Sequence, residues 1–222
     1  MEVGRLFKES FFILKDNTMI MFPPILAFFL TNLLLILVLG NMVSEGVEQR
    51  KLSVSMILLV TLIGFGIQSL SHAITVVMAQ QALSEKRCSL KYGFNESMKK
   101  IGPVFSAGIL IGILFTIGMM LFVIPGLVVL YVFMFTVVVI ILRNLHTLEA
   151  MKKSYQIIRA NITDTLFLFL SLLGSFLIIW IVGRIFLRVP LFGQIINALL
   201  MGGLFAFLAV VLVKSFRVLE SN

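Results

Sequence analysis

The residues able to do chemistry in a low-dielectric setting are few, and most lie in one stretch, Gln68-Ser-Leu-Ser-His72 followed by Thr75. Spacing by four places Gln68 and His72 on one face of a helix, with Thr75 close to it. An amide, an imidazole and a hydroxyl in a row can line a polar path or bind a head group. Gln68, His72 and Thr75 are therefore the candidate polar lining. The same side chains also serve as glue between helices in a bilayer, by hydrogen-bonding their neighbours. Glue is the expected role, with His72 facing the interior of a bundle and bonded to another helix. The single amides Asn32 and Asn197 have the same expectation. No Asp or Glu lies in the long apolar runs to form a proton relay.

Hydrolytic chemistry fails on inventory. His72 and His146 are the only histidines and do not stand at metal-ligand spacing, so no metal site is expected. There is no Gly-x-Ser-x-Gly elbow. Gly64-Phe-Gly66 lies inside an apolar run with no strand before it, which excludes a nucleotide loop. The ten acidic residues form no paired-carboxylate constellation. The chain is expected not to be an enzyme and to need no cofactor. Cys88 is the single cysteine, cannot form an internal disulfide, and is expected to be a spare reduced thiol.

The elements that position these groups follow from hydropathy. Of 222 residues 60% are hydrophobic and 13% charged, with a mean hydropathy of +1.12. Soluble domains carry about 25% charged residues. Six apolar runs cover residues 18–40, 55–83, 104–124, 127–142, 166–182 and 195–213. Runs of this kind suit bilayer-crossing helices and exceed a barrel strand. Pro23 and Pro24 stand near the start of the first, where proline is tolerated. Pro125-Gly126 is expected to make a tight turn between the third and fourth. The fold class is an all-α integral membrane protein of six transmembrane helices.

Charge sets the orientation. Of 18 Lys and Arg residues, only Arg50, Lys51, Arg184 and Arg188 fall on one side of these six runs. The positive-inside rule then puts both termini and the loops holding the other cations in the cytoplasm. The same bias accounts for the net charge of +8 without nucleic acid, for which no basic face with stacking aromatics is present. The first run is too long for a cleaved signal peptide, and no convincing cleavage site follows it.

Three segments preceding the odd-numbered runs look alike. Residues 7–17 align without a gap on residues 151–161, so that Lys8, Ser10, Ile13 and Asn17 match Lys152, Ser154, Ile157 and Asn161. Phe94-Asn-Glu-Ser97 echoes Phe7-Lys-Glu-Ser10. The expected organisation is a single domain, 1–222, of three units, approximately 1–83, 84–142 and 143–222, each an amphipathic interfacial helix followed by a membrane hairpin. The expected apolar faces are Val3, Phe7, Phe11 and Leu14; Leu90, Phe94, Met98 and Ile101; and Leu148, Met151, Tyr155 and Ile158. Cations opposite them suit anionic lipid. Lys99, Lys100, Lys152, Lys153 and Arg159 are the candidate head-group contacts.

Ile124-Pro-Gly126, followed by Leu148-Glu-Ala150, Ser154, Ile158 and Asn161, resembles a group of prokaryotic membrane proteins. The group includes the membrane domain attached to glycerophosphodiester phosphodiesterases and its stand-alone six-helix relatives. Arg143 and Ala160 depart from the pattern, where an acidic residue and a glycine are usual. The resemblance covers about 40 residues and implies a prokaryotic inner-membrane location with an envelope or lipid-linked role. It brings no catalytic residue with it, since the hydrolase domain is absent. Two functions stand open. One is a non-enzymatic scaffold or accessory partner for another membrane protein, in contact with anionic lipid. The other is a small transporter or lipid- or solute-handling permease with the polar lining on the second helix. A cavity reaching His72 favours the second, and a solid bundle the first.

Overall fold

A computed structural model describes residues 2–44, 54–85, 87–186 and 192–220. These form ten α-helices and no strand. Arg50, Lys51, Lys86 and Arg188, counted in the charge bias above, lie outside the described residues. Helix α1 (Val3–Asp16) leads through a 3-10 turn at Thr18–Met21 into α2 (Phe22–Ser44), followed by α3 (Val54–Glu85). The short α4 (Leu90–Met98) precedes α5 (Ile101–Leu121), α6 (Val123–Phe133) and α7 (Thr136–Arg143). The chain ends with α8 (Thr147–Ala160), α9 (Ile162–Phe186) and α10 (Phe192–Glu220).

Five segments are long and apolar enough to cross a membrane: 62–85, α5, the run 123–143, α9 and α10. A sixth is added if α1 and residues 18–34, which meet at 99°, are taken together. Helix α2 alone has 23 residues, enough for a crossing of about 30 Å.

Two details differ from expectation. Pro125-Gly126 does not make the turn after α5. The reversal falls at Phe122, extended at φ −161 and ψ 158, and Pro125 sits in the first turn of α6. A proline there leaves no intrahelical bond unmade. Gly126 instead lets two backbones meet: a Cβ on Gly118 would lie 2.8 Å from its nitrogen. The fourth apolar run is also not one helix. It breaks at Met134-Phe135, with no proline or glycine at the break.

Helix α3 is central, packing against α2, α4, α5, α7 and α10. Gly108 and Gly112 of α5 lie on Ser69 and Phe65 of α3, the close approach their spacing implies. Side chains are most deeply buried toward one end, where Val76, Met78, Val138, Ile140, Val211 and Phe216 are almost wholly enclosed. The same end gathers α1, α4, α8 and the end of α10. Arg143 pairs with Glu220 at 2.6 Å, Arg217 Nε donates to Gln80 Oε1 at 3.1 Å, and Lys214 pairs with Glu9. Helix α9 is largely exposed, with Leu177, Ile178, Ile181 and Ile185 outward, as a lipid-facing helix should be.

The three short amphipathic helices divide their apolar faces between the bundle and the outside. In α1 the buried residues are Leu6, Ser10 and Leu14; in α4, Gly93 and Ser97; in α8, Ala150, Met151, Ser154, Ile157 and Ile158. Of the apolar faces named from sequence, Leu14, Met151 and Ile158 are buried, whereas Phe11, Phe94, Leu148 and Tyr155 are exposed. Each buried face includes a small residue, Ser10, Gly93 with Ser97, or Ala150 with Ser154, and in α1 and α8 it stands beside larger apolar ones. Ser10, Ser97 and Ser154 are each fully buried. Asn17 and Asn161 end α1 and α8 alike, both at φ −130, and each amide donates to the carbonyl four residues back, Ile13 O at 3.2 Å and Ile157 O at 3.1 Å.

The α1–α10 contact carries a pH dependence. A hydrogen bond from Lys214, and then one from Arg5 at 2.8 Å, hold the Glu9 carboxyl down to about 2. The unfolded value is about 4.3. The folded value is the lower, so this contribution is present above about pH 4.3 and is lost as the pH falls towards 2. Amide protection in α1, corrected for intrinsic exchange, is expected to fall across that window. In Glu9→Gln it should be low throughout. Unchanged protection of the native protein down to pH 2 would show that the pair does not hold α1.

Candidate functional site

Beside α3 the bundle forms an open-sided cavity of about 240 Å³. One wall is polar and comes wholly from α3: Gln68, Ser69, Ser71, His72 and Thr75. The others are apolar or small, with Phe65, Gly108 and Ile111, Val137 of α7, and Phe205, Leu208 and Leu212 of α10. The three residues expected as a polar lining therefore face one space. No charged side chain lines it. Ordinary ligand pockets run from about 300 to 1,000 Å³, so this one suits a small molecule or part of a larger one.

Among the described residues, this stripe makes no hydrogen bond to another helix. Thr75 Oγ1 donates to Ser71 O of its own helix at 2.8 Å. Among the described residues, neither Gln68 nor His72 bonds another helix. The glycines of α5 bring α3 close through backbone and van der Waals contact, so polar side chains are not needed for that packing. Asn32 likewise turns back on its own helix, donating to Phe28 O at 2.8 Å. Asn197 sets its amide oxygen against Gly183 of α9.

Two hydroxyls that the sequence did not single out stand out here. Ser71 Oγ and Thr136 Oγ1 are buried with no hydrogen-bond partner. A buried polar atom without a partner costs about 1–3 kcal/mol. Ser71 lines the cavity, and Thr136 begins α7 directly after the break, one residue before the lining Val137. At that break Ser154 Oγ of α8 donates to Val132 O at 2.9 Å and satisfies the carbonyl that the interrupted helix leaves open. The local signal for the break is Thr136 itself, an aliphatic hydroxyl in an apolar run whose other polar group is the Tyr131 phenol.

The candidate head-group cations divide. Lys152 and Arg159 are exposed, and Lys153 is half-buried. Lys99 is exposed and paired with Glu96. Lys100 turns inward and donates to Ile141 O at 2.7 Å, because the last carbonyls of α7 carry partial negative charge. Burial pushes its ammonium below the usual lysine range.

The molecule is thus a helical bundle with five or six helices fit to cross a membrane and a one-sided polar cavity between them. Comparison with protein-family models, curated proteins and solved structures finds no match to the chain.

Proposed function

We propose that the protein is a non-enzymatic, multi-pass plasma-membrane protein of a prokaryote that binds a small neutral amphiphile and passes it along α3, as a permease does. The cavity against Gln68, Ser71 and His72 carries this proposal. A ligand with an apolar body and one hydrogen-bonding head satisfies Ser71 and His72 while filling the apolar wall. A charged head is disfavoured, since nothing in the lining would neutralise it. The break at Met134-Phe135 supports the proposal, because transporters form sites where membrane helices are interrupted.

The surrounding architecture is read in the same way. Both termini and α1, α4 and α8 lie in the cytoplasm, on the strength of the cation bias. Three repeated units are supported by the shared burial of Ser10, Ser97 and Ser154 and by the matched ends at Asn17 and Asn161. Lys152, Lys153, Arg159 and Lys99 meet anionic lipid beside the outward Phe11, Phe94 and Tyr155. An envelope lipid or a fragment of one is the ligand class that suits the resemblance to the phosphodiesterase-linked membrane domains.

Photolabelling of the protein in lipid nanodiscs with a diazirine-bearing short-chain alkanol tests the cavity. Labelling is expected at residues 68–75, and His72→Leu should reduce it at least tenfold while leaving the melting temperature unchanged. If His72 were glue, His72→Leu would instead cost about 0.5–2 kcal/mol of stability. Labelling spread evenly over outward residues such as Leu177 and Ile178, and indifferent to His72→Leu, would favour a scaffold for another membrane protein.

A further inference from the structure

A second cavity, of about 300 Å³, opens at the charged end of the bundle. It is formed where α3 ends beside α4 and the last turn of α7. Unlike the first, its wall carries both signs of charge, with Lys100, Glu85 and Glu96 in a lining that includes Gln80, Ser84 and Tyr92.

The charges are incompletely matched within the protein. Glu96 is neutralised by Lys99. Glu85 accepts only a neutral amide, Gln81 Nε2 at 3.0 Å, and among the described residues no cation stands within ion-pair distance of it. Lys100 uses one N–H on Ile141 O, and among the described residues no carboxylate stands within ion-pair distance of it. An ammonium has three N–H donors, so two remain. Gln80 accepts from Arg217 through its oxygen, which leaves its amide N–H₂ as a further donor. Among the described residues, the cavity therefore presents a carboxylate, Glu85, and an ammonium, Lys100, that form no ion pair with each other or with another charged group.

We infer that this cavity is a binding site for a small zwitterion, a molecule with a primary ammonium at one end and an anionic oxygen group at the other. The ammonium meets Glu85 and the face of Tyr92, where a ring attracts a cation. The anion meets Lys100 and the Gln80 amide, and partial burial of Lys100 strengthens that contact. The free carboxylate of Glu85 would repel a purely anionic ligand. A purely cationic one would leave Lys100 unmatched. Aminoethyl phosphate has this chemistry, either as a free solute or as the head group of a phosphatidylethanolamine.

The site differs from the membrane cavity. Between them along α3 lie Val76, Met78 and Ala79, all buried without exposure, facing a similarly buried Val138, Val139 and Ile140 on α7. The two sites can therefore be tested apart. The full chain in nanodiscs of phosphatidylcholine and phosphatidylglycerol is titrated with aminoethyl phosphate by calorimetry. In parallel, native mass spectrometry measures retention of phosphatidylethanolamine against phosphatidylcholine. Binding of the free compound identifies a solute site, and selective retention of the ethanolamine lipid identifies a head-group site. In either case Glu85→Gln should weaken binding at least tenfold, and choline phosphate, which lacks N–H donors, should bind at least tenfold more weakly. His72→Leu should leave both unchanged. Glu85 is exposed, so its amide variant tests the charge without disturbing the fold. Failure of both sources to bind, or binding indifferent to Glu85→Gln, would overturn the inference.

Discussion

Replacing Gly202 by alanine should destabilise the bundle by about 1–3 kcal/mol, the usual cost of an added methyl group in a packed interior. Gly202 of α10 lies directly on α2. A Cβ there would come within 2.6 Å of Ile25 Cα and 2.7 Å of its nitrogen. Both are backbone atoms, so no rotamer change relieves the contact and the two helices must separate. Gly174 of α9 is the control, because a Cβ there meets nothing within 4 Å. Gly174→Ala should be neutral or stabilising, by up to about 1 kcal/mol on helix propensity. Reversible unfolding in mixed micelles compares the two. Equal effects at both positions would mean that the α2–α10 approach is looser than these distances.

The second large effect is one of access, and it tests the orientation proposed from charge. In intact cells an impermeant maleimide should leave Cys88 unlabelled and should label Cys88→Ser/Arg184→Cys completely. Cys88 lies between α3 and α4, at the end that gathers α1, α8 and the C-terminal turns of α10. Arg184 is exposed near the end of α9, stacked on Trp180 at 5.2 Å, an aromatic and a cation together as at a membrane interface. Burial pushes the Cys88 thiol up, which lowers its thiolate fraction and slows reaction near neutral pH. The protection seen in intact cells must therefore be compared with opened membranes at the same pH, where Cys88 should react. Labelling of Cys88 from outside would invert the topology.

The sequence by itself determined the membrane-crossing character of the helices and the clustering of charge between them. Both are properties of long stretches: an apolar run excludes water whatever its neighbours do, and a lysine count needs no contact. It also made legible which residues of α3 share a face, since helical spacing is local. Gln68, His72 and Thr75 fall on one cavity for that reason.

Tertiary structure alone decided what that face meets. Whether a polar stripe bonds a neighbour or borders a space depends on the shape of the opposing helices, and here Gly108 and Phe205 from other parts of the chain help shape it. Ser71 and Thr136 were invisible as unsatisfied groups because a hydroxyl usually bonds its own helix, as Thr75 does. The break at Met134-Phe135 carries no proline or glycine, and its open carbonyl is satisfied by Ser154, 22 residues farther on. The same holds for the amphipathic helices. Periodicity finds an apolar face, but it cannot divide that face between protein and lipid. That division came from the fit of Ser10, Ser97 and Ser154 into the bundle, which sent Phe11, Phe94 and Tyr155 outward.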